Sequence, residues 1–306
     1  IYFFIMAFDT YYFLLGDADK PHFLLQLANM IASIKFVFTI YFMIFCFSHW
    51  HIKLWRILLF TFLGYELFLI LAGEAGRTWV FLHFCSCLML YDRLVKPFKV
   101  LQLISITVLG IIVFLALGFF RHGAGDALLS VYLFISGTNE FTSIMATAQD
   151  IYMRKEVLGT LYDIPWQVYF DDIIHSIPSQ LLPFEKIDLS TWYLQVLDIY
   201  GQGVGLMFGV IAQGIVGGGI IELIIRGILT GAFFGWLHNH YLKHTDSYWV
   251  LVLYIFLGIK SYYIIRASTG YLLYFIIYNY LPALLAVKFL TQAGLNAKKE
   301  GLASKL

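Results

Sequence analysis

Apolar runs of about 20 residues recur along this chain, and each is long enough to cross a lipid bilayer as a helix. Few folds are open to such a chain, because backbone polar groups inside a bilayer must be paired within helices or closed barrels. Charged residues make up only 13% of the sequence, whereas soluble domains carry about a quarter. The sequence therefore predicts an all-α, polytopic transmembrane protein.

A long mixed region separates two groups of candidate spans. The candidate spans are 1–15, 22–48, 54–72, 77–91, 98–120, 217–237, 249–266 and 270–290. We therefore divide the chain into N-terminal transmembrane helices over 1–120, an intervening loop region over 121–203, and C-terminal transmembrane helices with a tail over 204–306. The chain opens with IYFF, without Met or a signal peptide, so we expect further spans to precede it.

Basic residues in the short loops predict the orientation, since Lys and Arg are enriched on the cytoplasmic side. The basic segments are 49–56, 92–99, 238–244 and the C-terminal tail, and they alternate with the less basic loops 16–22, 73–77 and 267–270. The first set is predicted to be cytoplasmic, which places the loop region outside. The first part of that region, DALLSVYLFISGTNEFTSIMATAQDIY, is amphipathic enough to lie at the interface or to re-enter the membrane.

Four arginines fall near the predicted outer ends of spans, against the positive-inside tendency. They are Arg77, Arg121, Arg226 and Arg266. Snorkelling to lipid headgroups explains a single arginine of this kind. A group of four favours binding of a diphosphate, because guanidinium groups bind phosphate oxygens bidentately. Glu222 lies one helical turn before Arg226 and can either neutralise it or orient it towards such a ligand.

Several short motifs occur in a characteristic order. They are GEAGR (73–77), HGAGD after Arg121, GTNEF (137–141), IPSQLLPFEK (177–186), QGVGLMFGVIAQGIVGGG (202–219) and IIRAST (264–269). Over about residues 70–290 the chain thereby resembles the Wzy-type O-antigen polymerases, a family similar to the O-antigen ligases. Gln213 stands where members of that family often carry an acidic residue.

The resemblance implies a GT-C-like protein of the bacterial inner membrane with its active site facing the periplasm. Such an enzyme transfers a growing glycan from undecaprenyl diphosphate to another lipid-linked repeat unit, and undecaprenyl diphosphate leaves. The implied partners are the lipid-linked donor and acceptor, the bilayer and a Wzz-type chain-length regulator. A net charge of +1 suggests no nucleic-acid partner.

This reaction needs stabilisation of the departing diphosphate and a base for the acceptor hydroxyl. We expect Arg77, Arg121 and Arg266, with Arg226 as a fourth, to meet the developing negative charge without a metal ion or other cofactor. Glu140 is the first candidate for the base, and His175 is the second. Both are also residue types that occur as ordinary surface or loop residues.

Two further features of the loop region have more than one interpretation. Asp171 and Asp172 beside His175 are possible ligands of a divalent metal ion, but adjacent aspartates rarely aim at one point, so we predict no metal site. Aromatic side chains in this region suit the faces of sugar rings, and a membrane-interface belt uses the same residue types. The predicted glycan-binding residues are Trp166, Tyr169, Trp192 and Tyr193.

Three other functions fit parts of the pattern. An O-antigen ligase, which moves glycan onto lipid A core, would share the fold and the arginines. A sugar or lipid transporter predicts internally repeated helix patterns with polar residues at the midplane, and the sequence shows no such repeat. A non-enzymatic scaffold would leave the outward arginines without a role.

Overall fold

The structure is a computed structural model, and it describes residues 22–71, 77–121, 140–161, 164–178, 181–187, 189–198, 208–286 and 288–289. Within these residues every regular element is helical, which confirms the all-α class for the described part of the chain. The candidate span over 1–15, the motif HGAGD and the C-terminal tail lie outside the described residues.

Four long helices form the N-terminal part: α1 (His22–Ser48), α2 (Lys53–Leu71), α3 (Arg77–Leu94) and α4 (Val100–Arg121). Shorter helices follow: α5 (Glu140–Tyr152), a π-helical turn (Met153–Val157), α6 (Trp166–Tyr169), α7 (Asp171–Ile174), α8 (Leu189–Val196) and α9 (Gly209–Val216). The C-terminal part contains α10 (Ile220–Lys243), α11 (Tyr248–Arg266) and α12 (Gly270–Tyr274), which continues as a π-helical segment (Phe275–Tyr280).

Two helices, α10 and α11, are long and apolar enough to cross a membrane, judged by length and composition among the described residues. Only 6% of the most apolar stretch of α10 is buried inside the protein, against 44% for α11. The apolar side chains of α10 therefore face away from the protein, as expected of a helix that lipid covers.

Helices α1 and α11 pack in opposite directions in the larger hydrophobic core. Tyr41 stacks on Trp249 with ring centroids 5.1 Å apart, whereas the earlier Phe36 meets the later Phe256 at 5.8 Å. Helix α1 also contacts α2, α3 and the segment 275–280, and α11 contacts α3 and α10. The two helices thus connect the N-terminal and C-terminal parts through one core.

The contacts also show which helix ends lie together. The Arg93 guanidinium lies 5.5 Å from the ring centroid of Tyr241, so the carboxyl ends of α3 and α10 are adjacent. A β-carbon added at Gly110 would lie 3.8 Å from the Phe84 ring, as expected if α4 returns antiparallel to α3. Consequently α3 and α10 begin, and α4 and α11 end, at the same end of the bundle, which we call the arginine end.

A second, smaller hydrophobic core is built from α5, α6, α8 and α9. Its buried residues include Ile151, Val168, Trp192, Phe208 and Val216. Helix α9 packs on α5 within this core and also contacts α10 and α11. It thereby attaches the segments between α4 and α10 to the arginine end of the bundle.

Candidate functional site

A single carboxylate, that of Asp172, accepts hydrogen bonds from three separate elements. Its Oδ1 accepts from Thr269 Oγ1 at 2.6 Å and from Gln213 Nε2 at 3.0 Å. Its Oδ2 pairs with the Arg226 guanidinium. Gln213 belongs to α9, Arg226 to α10, and Thr269 to the turn after α11, so the three donors meet at the arginine end. We call Gln213, Arg226 and Thr269 the donor cradle.

The guanidinium of Arg226 is engaged through all three of its nitrogens. Its Nε donates to Glu222 Oε1 at 2.7 Å, and its NH2 lies 2.6 Å from the same oxygen. Its NH1 donates to Asp172 and to the Thr269 hydroxyl. The side chain is 13% exposed. Glu222 and Arg226 therefore pair within α10, as their four-residue spacing allows, and a second carboxylate arrives from α7.

Glycines let these elements approach closely. A β-carbon at Gly270 would lie 2.7 Å from Asp172 Cα and 2.9 Å from its carbonyl oxygen, so the backbone of α7 rests directly on the start of α12. Between α9 and α10, Gly219 has φ +68°, a conformation that favours glycine. The Gly218 N–H donates to Glu222 Oε2 at 2.5 Å, which fixes the carboxylate that holds Arg226.

Gln213 acts in the cradle through both the nitrogen and the oxygen of its side-chain amide. Its Nε2 donates to Asp172, while its Oε1 accepts from the Thr269 backbone N–H at 3.3 Å. The residue is 3% exposed. An ionised acid at this position would have no proton to donate to Asp172 and would repel its charge. The neutral amide therefore suits a site that contains this aspartate.

His175 lies one turn after Asp172 and packs against α12. The centroid of its ring is 4.5 Å from that of Tyr271 and 5.5 Å from that of Tyr274. Its backbone carbonyl accepts from Lys186 Nζ at 2.6 Å. These contacts place the imidazole near the cradle, and its assignment as second candidate base stays a prediction.

Three of the four predicted arginines lie at helix termini of the arginine end, and Arg226 lies in the second turn of α10. Arg266 lies three residues before Thr269, and its guanidinium is 6.0 Å from the ring centroid of Tyr262. Arg77 is the first residue of α3, and Arg121 is the last residue of α4. The side chains of Arg77 and Arg121, and that of Glu140 at the start of α5, lie outside the described part of the structure. Their convergence on one ligand stays a prediction.

The four predicted glycan-binding aromatics fall into two pairs. Trp166 and Tyr169 are 51% and 46% exposed, so a ligand can reach them. Trp192 and Tyr193 are 5% and 1% exposed and pack in the second core. The Tyr193 hydroxyl donates to Asp150, and the pKa of Tyr193 is raised, first by burial and then by this hydrogen bond. Burial gives this second pair a packing role, and glycan binding stays a prediction.

Asp171 and Asp172 have different surroundings although they are adjacent. Asp171 is buried, whereas the side chain of Asp172 is about a quarter exposed and is bound by the donor cradle. Within the residues that the structure describes, no three His, Cys, Asp or Glu side chains converge as metal ligands. The guanidinium, amide and hydroxyl donors around Asp172 are groups that bind oxyanions.

Sequence reasoning missed the role of Lys155, which lies in the π-helical turn after α5. Its Nζ donates to the carbonyl oxygens of Ile215, Val216 and Gly217 at 2.8, 3.0 and 3.0 Å. The ammonium group thus satisfies the carboxyl end of α9, where backbone acceptors lack partners within the helix. No local pattern signals this contact, because Lys155 and its acceptors are about 60 residues apart.

The ionisable residues of the larger core were also not predicted from the sequence. Lys35 Nζ lies 3.9 Å from Glu66 Oε1, and His83 Nδ1 lies 3.6 Å from Glu66 Oε2. The Phe36 ring contacts the His83 ring at 5.3 Å, and Lys260 Nζ lies 5.2 Å from the Phe36 centroid. Each of these ionisable residues stands alone within an apolar run of the sequence. That pattern could have indicated that they pair with one another, because burying an ionisable side chain without a partner is costly.

Comparison with known proteins returns no match among family models, curated proteins or solved structures. The family likeness therefore rests on the sequence motifs, and the site on its own geometry.

Proposed function

We propose that this chain is a membrane-embedded glycosyltransferase of the Wzy type, which joins oligosaccharide repeat units carried on undecaprenyl diphosphate. The observation that supports this proposal best is the donor cradle at the arginine end of the bundle. Guanidinium, amide and hydroxyl donors that surround a carboxylate are equally suited to the oxygens of a diphosphate.

The proposed setting is a multi-pass, GT-C-like helical bundle in the bacterial inner membrane. Helices α10 and α11 are apolar enough to cross it, and the antiparallel packing of successive long helices fits repeated crossing. The positive-inside pattern of the loops would direct the arginine end to the periplasm. Lipid-linked repeat units diffuse within the bilayer, so a site at the level of the outer headgroups would meet their diphosphate directly.

In the proposed reaction, a hydroxyl of the acceptor repeat unit attacks the anomeric carbon of the donor glycan. The new glycosidic C–O bond forms as the bond between the anomeric carbon and the diphosphate oxygen breaks. Undecaprenyl diphosphate leaves with the electron pair, and the hydroxyl proton passes to a base, for which Glu140 and His175 are the candidates. Arg77, Arg121 and Arg266, with Arg226, would stabilise the charge of the leaving group without requiring a metal ion.

Trp166 and Tyr169 are exposed aromatics of the loop region and are available to the proposed glycan. Trp166 lies beside Phe184, with ring centroids 4.8 Å apart. Sugar rings pack on aromatic faces of this kind, so Trp166 and Tyr169 are the proposed contact for the growing chain. A Wzz-type regulator that limits chain length is the proposed protein partner.

Arginine substitutions test the proposed function. We expect Ala at Arg77, Arg121 or Arg266 to abolish polymer ladders formed from lipid-linked repeat units, because the leaving group would lose a fixed positive charge. Lys at the same positions should retain part of the ladder. Ladders are followed by gel electrophoresis of the products of purified protein. Arg56→Ala, an exposed arginine near Trp50 and away from the arginine end, is the matched control.

The products of the same assay decide between the functions. Full-length ladders from all three Ala variants would remove the proposal. Glycan attached to lipid A core instead of longer lipid-linked chains would identify a ligase. Repeat units that cross the vesicle membrane without being joined would identify a transporter.

A further inference from the structure

The donor cradle has the composition of an oxyanion site, and its occupant is part of the same chain. Arg226 NH1, Thr269 Oγ1 and Gln213 Nε2 all donate to the carboxylate of Asp172. A carboxylate and a phosphate present similar anionic oxygens, and both accept from guanidinium, hydroxyl and amide groups. Asp172 therefore occupies the position that an oxygen of an anionic ligand would take.

A buried hydroxyl on the residue next to Thr269 fits a ligand that brings more oxygens than Asp172 provides. Ser268 is 3% exposed, and its Oγ has no hydrogen-bond partner among the described residues. It is the residue directly before Thr269. A buried hydroxyl without a partner costs free energy, and a phosphate group at the cradle would offer it an acceptor.

Asp172 is carried by a shorter helix than two of its three donors. Helix α7 contains four residues, Asp171–Ile174, while Gln213 and Arg226 belong to α9 and α10. The Asp172 side chain is 26% exposed, against 13% for that of Arg226. The Asp172 side chain is thus the more accessible member of the pair, and its rotation away from Arg226 leaves the backbone contact of α7 with Gly270 in place.

We propose that Gln213, Arg226, Ser268 and Thr269 form a binding site for a phosphate or diphosphate oxyanion, and that Asp172 is its intramolecular competitor. The ligand displaces Asp172 from Arg226 when it binds, and Asp172 returns when the ligand leaves. This inference deepens the proposed function and rests on it for the identity of the ligand as a diphosphate. Asp172 would then help to release the diphosphate product.

Removing the charge of Asp172 tests the inference. We expect Asp172→Asn to bind inorganic pyrophosphate at least about tenfold more tightly than the unaltered chain, because a competitor that fills the site lowers the apparent affinity by the fraction of sites left free. Binding is measured by isothermal titration calorimetry on the full chain in detergent micelles. Adding Arg226→Gln to Asp172→Asn should abolish the gain. Glu185→Gln, which removes the same charge from an exposed position of the loop region, should leave the affinity unchanged.

A second arm separates the two sources of the anion. The same variants are titrated with undecaprenyl diphosphate in matched micelles. Tighter binding in both arms supports a site for the diphosphate group itself, and tighter binding of the lipid alone supports a site that also requires the lipid. Equal or weaker binding by Asp172→Asn in both arms overturns the inference and assigns Asp172 a purely structural role. Because this assay does not follow glycan transfer, polymer ladders would still report on the proposed function if it failed.

Discussion

At the scale of single residues, the site depends on close approach as much as on charge. Arg226 is held by Glu222 from its own helix and by Asp172 from a distant turn, so its side chain is fixed from two sides. Gly270 makes the second contact possible, because a β-carbon there would lie 2.7 Å from Asp172 Cα. A glycine without side-chain chemistry is therefore as necessary to the cradle as its donors.

The glycine contact leads to a prediction for Gly270→Ala. We expect this variant to lose about 2 kcal/mol of stability, because the added methyl group must push α7 away from α12. The change is measured as the shift in unfolding midpoint of the full chain in detergent. Gly258→Ala is the matched control, since a β-carbon at Gly258 on α11 meets nothing within 4 Å. The control should be neutral or slightly stabilising, and equal losses in both variants would contradict this account.

At the scale of elements, α9 is the connection between the two hydrophobic cores. It packs on α5 in the second core and on α10 and α11 beside the site. The helix ends at Val216, because the glycines at 217–219 turn the chain into α10. Lys155 from the turn after α5 binds the last carbonyl groups of α9. Contacts from the loop region therefore position helix α9, and they position Gln213 because α9 carries it.

The contact of Lys155 gives a prediction for this element. Replacing Lys155 with Met retains the apolar stem and removes the ammonium group. We expect the free energy of unfolding to fall by about 2 kcal/mol, because the lost hydrogen bonds come from a charged group. Hydrogen–deuterium exchange should increase in 209–219 before it increases in α11. Lys53→Met, at the exposed start of α2, is the control. Unchanged exchange in 209–219 would show that Lys155 does not hold α9.

At the scale of the whole molecule, successive long helices run in alternating directions around α1 and α11. Ring contacts show α1 antiparallel to α11, and the guanidinium of Arg93 over Tyr241 shows α3 parallel to α10. Loop charges predicted the same alternation. The packing thus places the arginine end opposite the loops 49–56 and 92–99, and the side of the membrane that this end faces stays a prediction.

Thiol labelling tests that orientation. In a background with Cys46, Cys85 and Cys87 replaced by Ala, we expect a membrane-impermeant thiol reagent to label Glu185→Cys in intact spheroplasts. Lys243→Cys should be labelled only after the membrane is permeabilised, because 238–244 is a predicted cytoplasmic loop. Both positions are exposed, so accessibility within the protein does not limit the reaction. The reverse labelling pattern would show that the arginine end faces the cytoplasm.

The positions of the long helices could be predicted from the sequence, because each apolar run must satisfy its own backbone hydrogen bonds. The predicted span 22–48 coincides with α1, and 249–266 differs from α11 by one residue. The predicted span 217–237 was too short, because α10 runs over Ile220–Lys243 and includes most of the predicted loop 238–244. The pairing of Glu222 with Arg226 was equally accessible, since residues four apart share a helix face. The π-helical segments at 153–157 and 275–280 were not predicted, because no residue pattern distinguishes them from ordinary helix.

Apolarity was thus sufficient, from the sequence alone, for the helical class and the approximate positions of the long helices, because it acts within a segment. The orientation expected from loop charge stays a prediction. The donor cradle was decided only by the tertiary structure. Asp172 is 41 residues from Gln213, 54 from Arg226 and 97 from Thr269, and no local preference relates such positions. Packing of α7 against Gly270 and of α9 against α10 brings these residues together, and these contacts form only when the whole bundle folds.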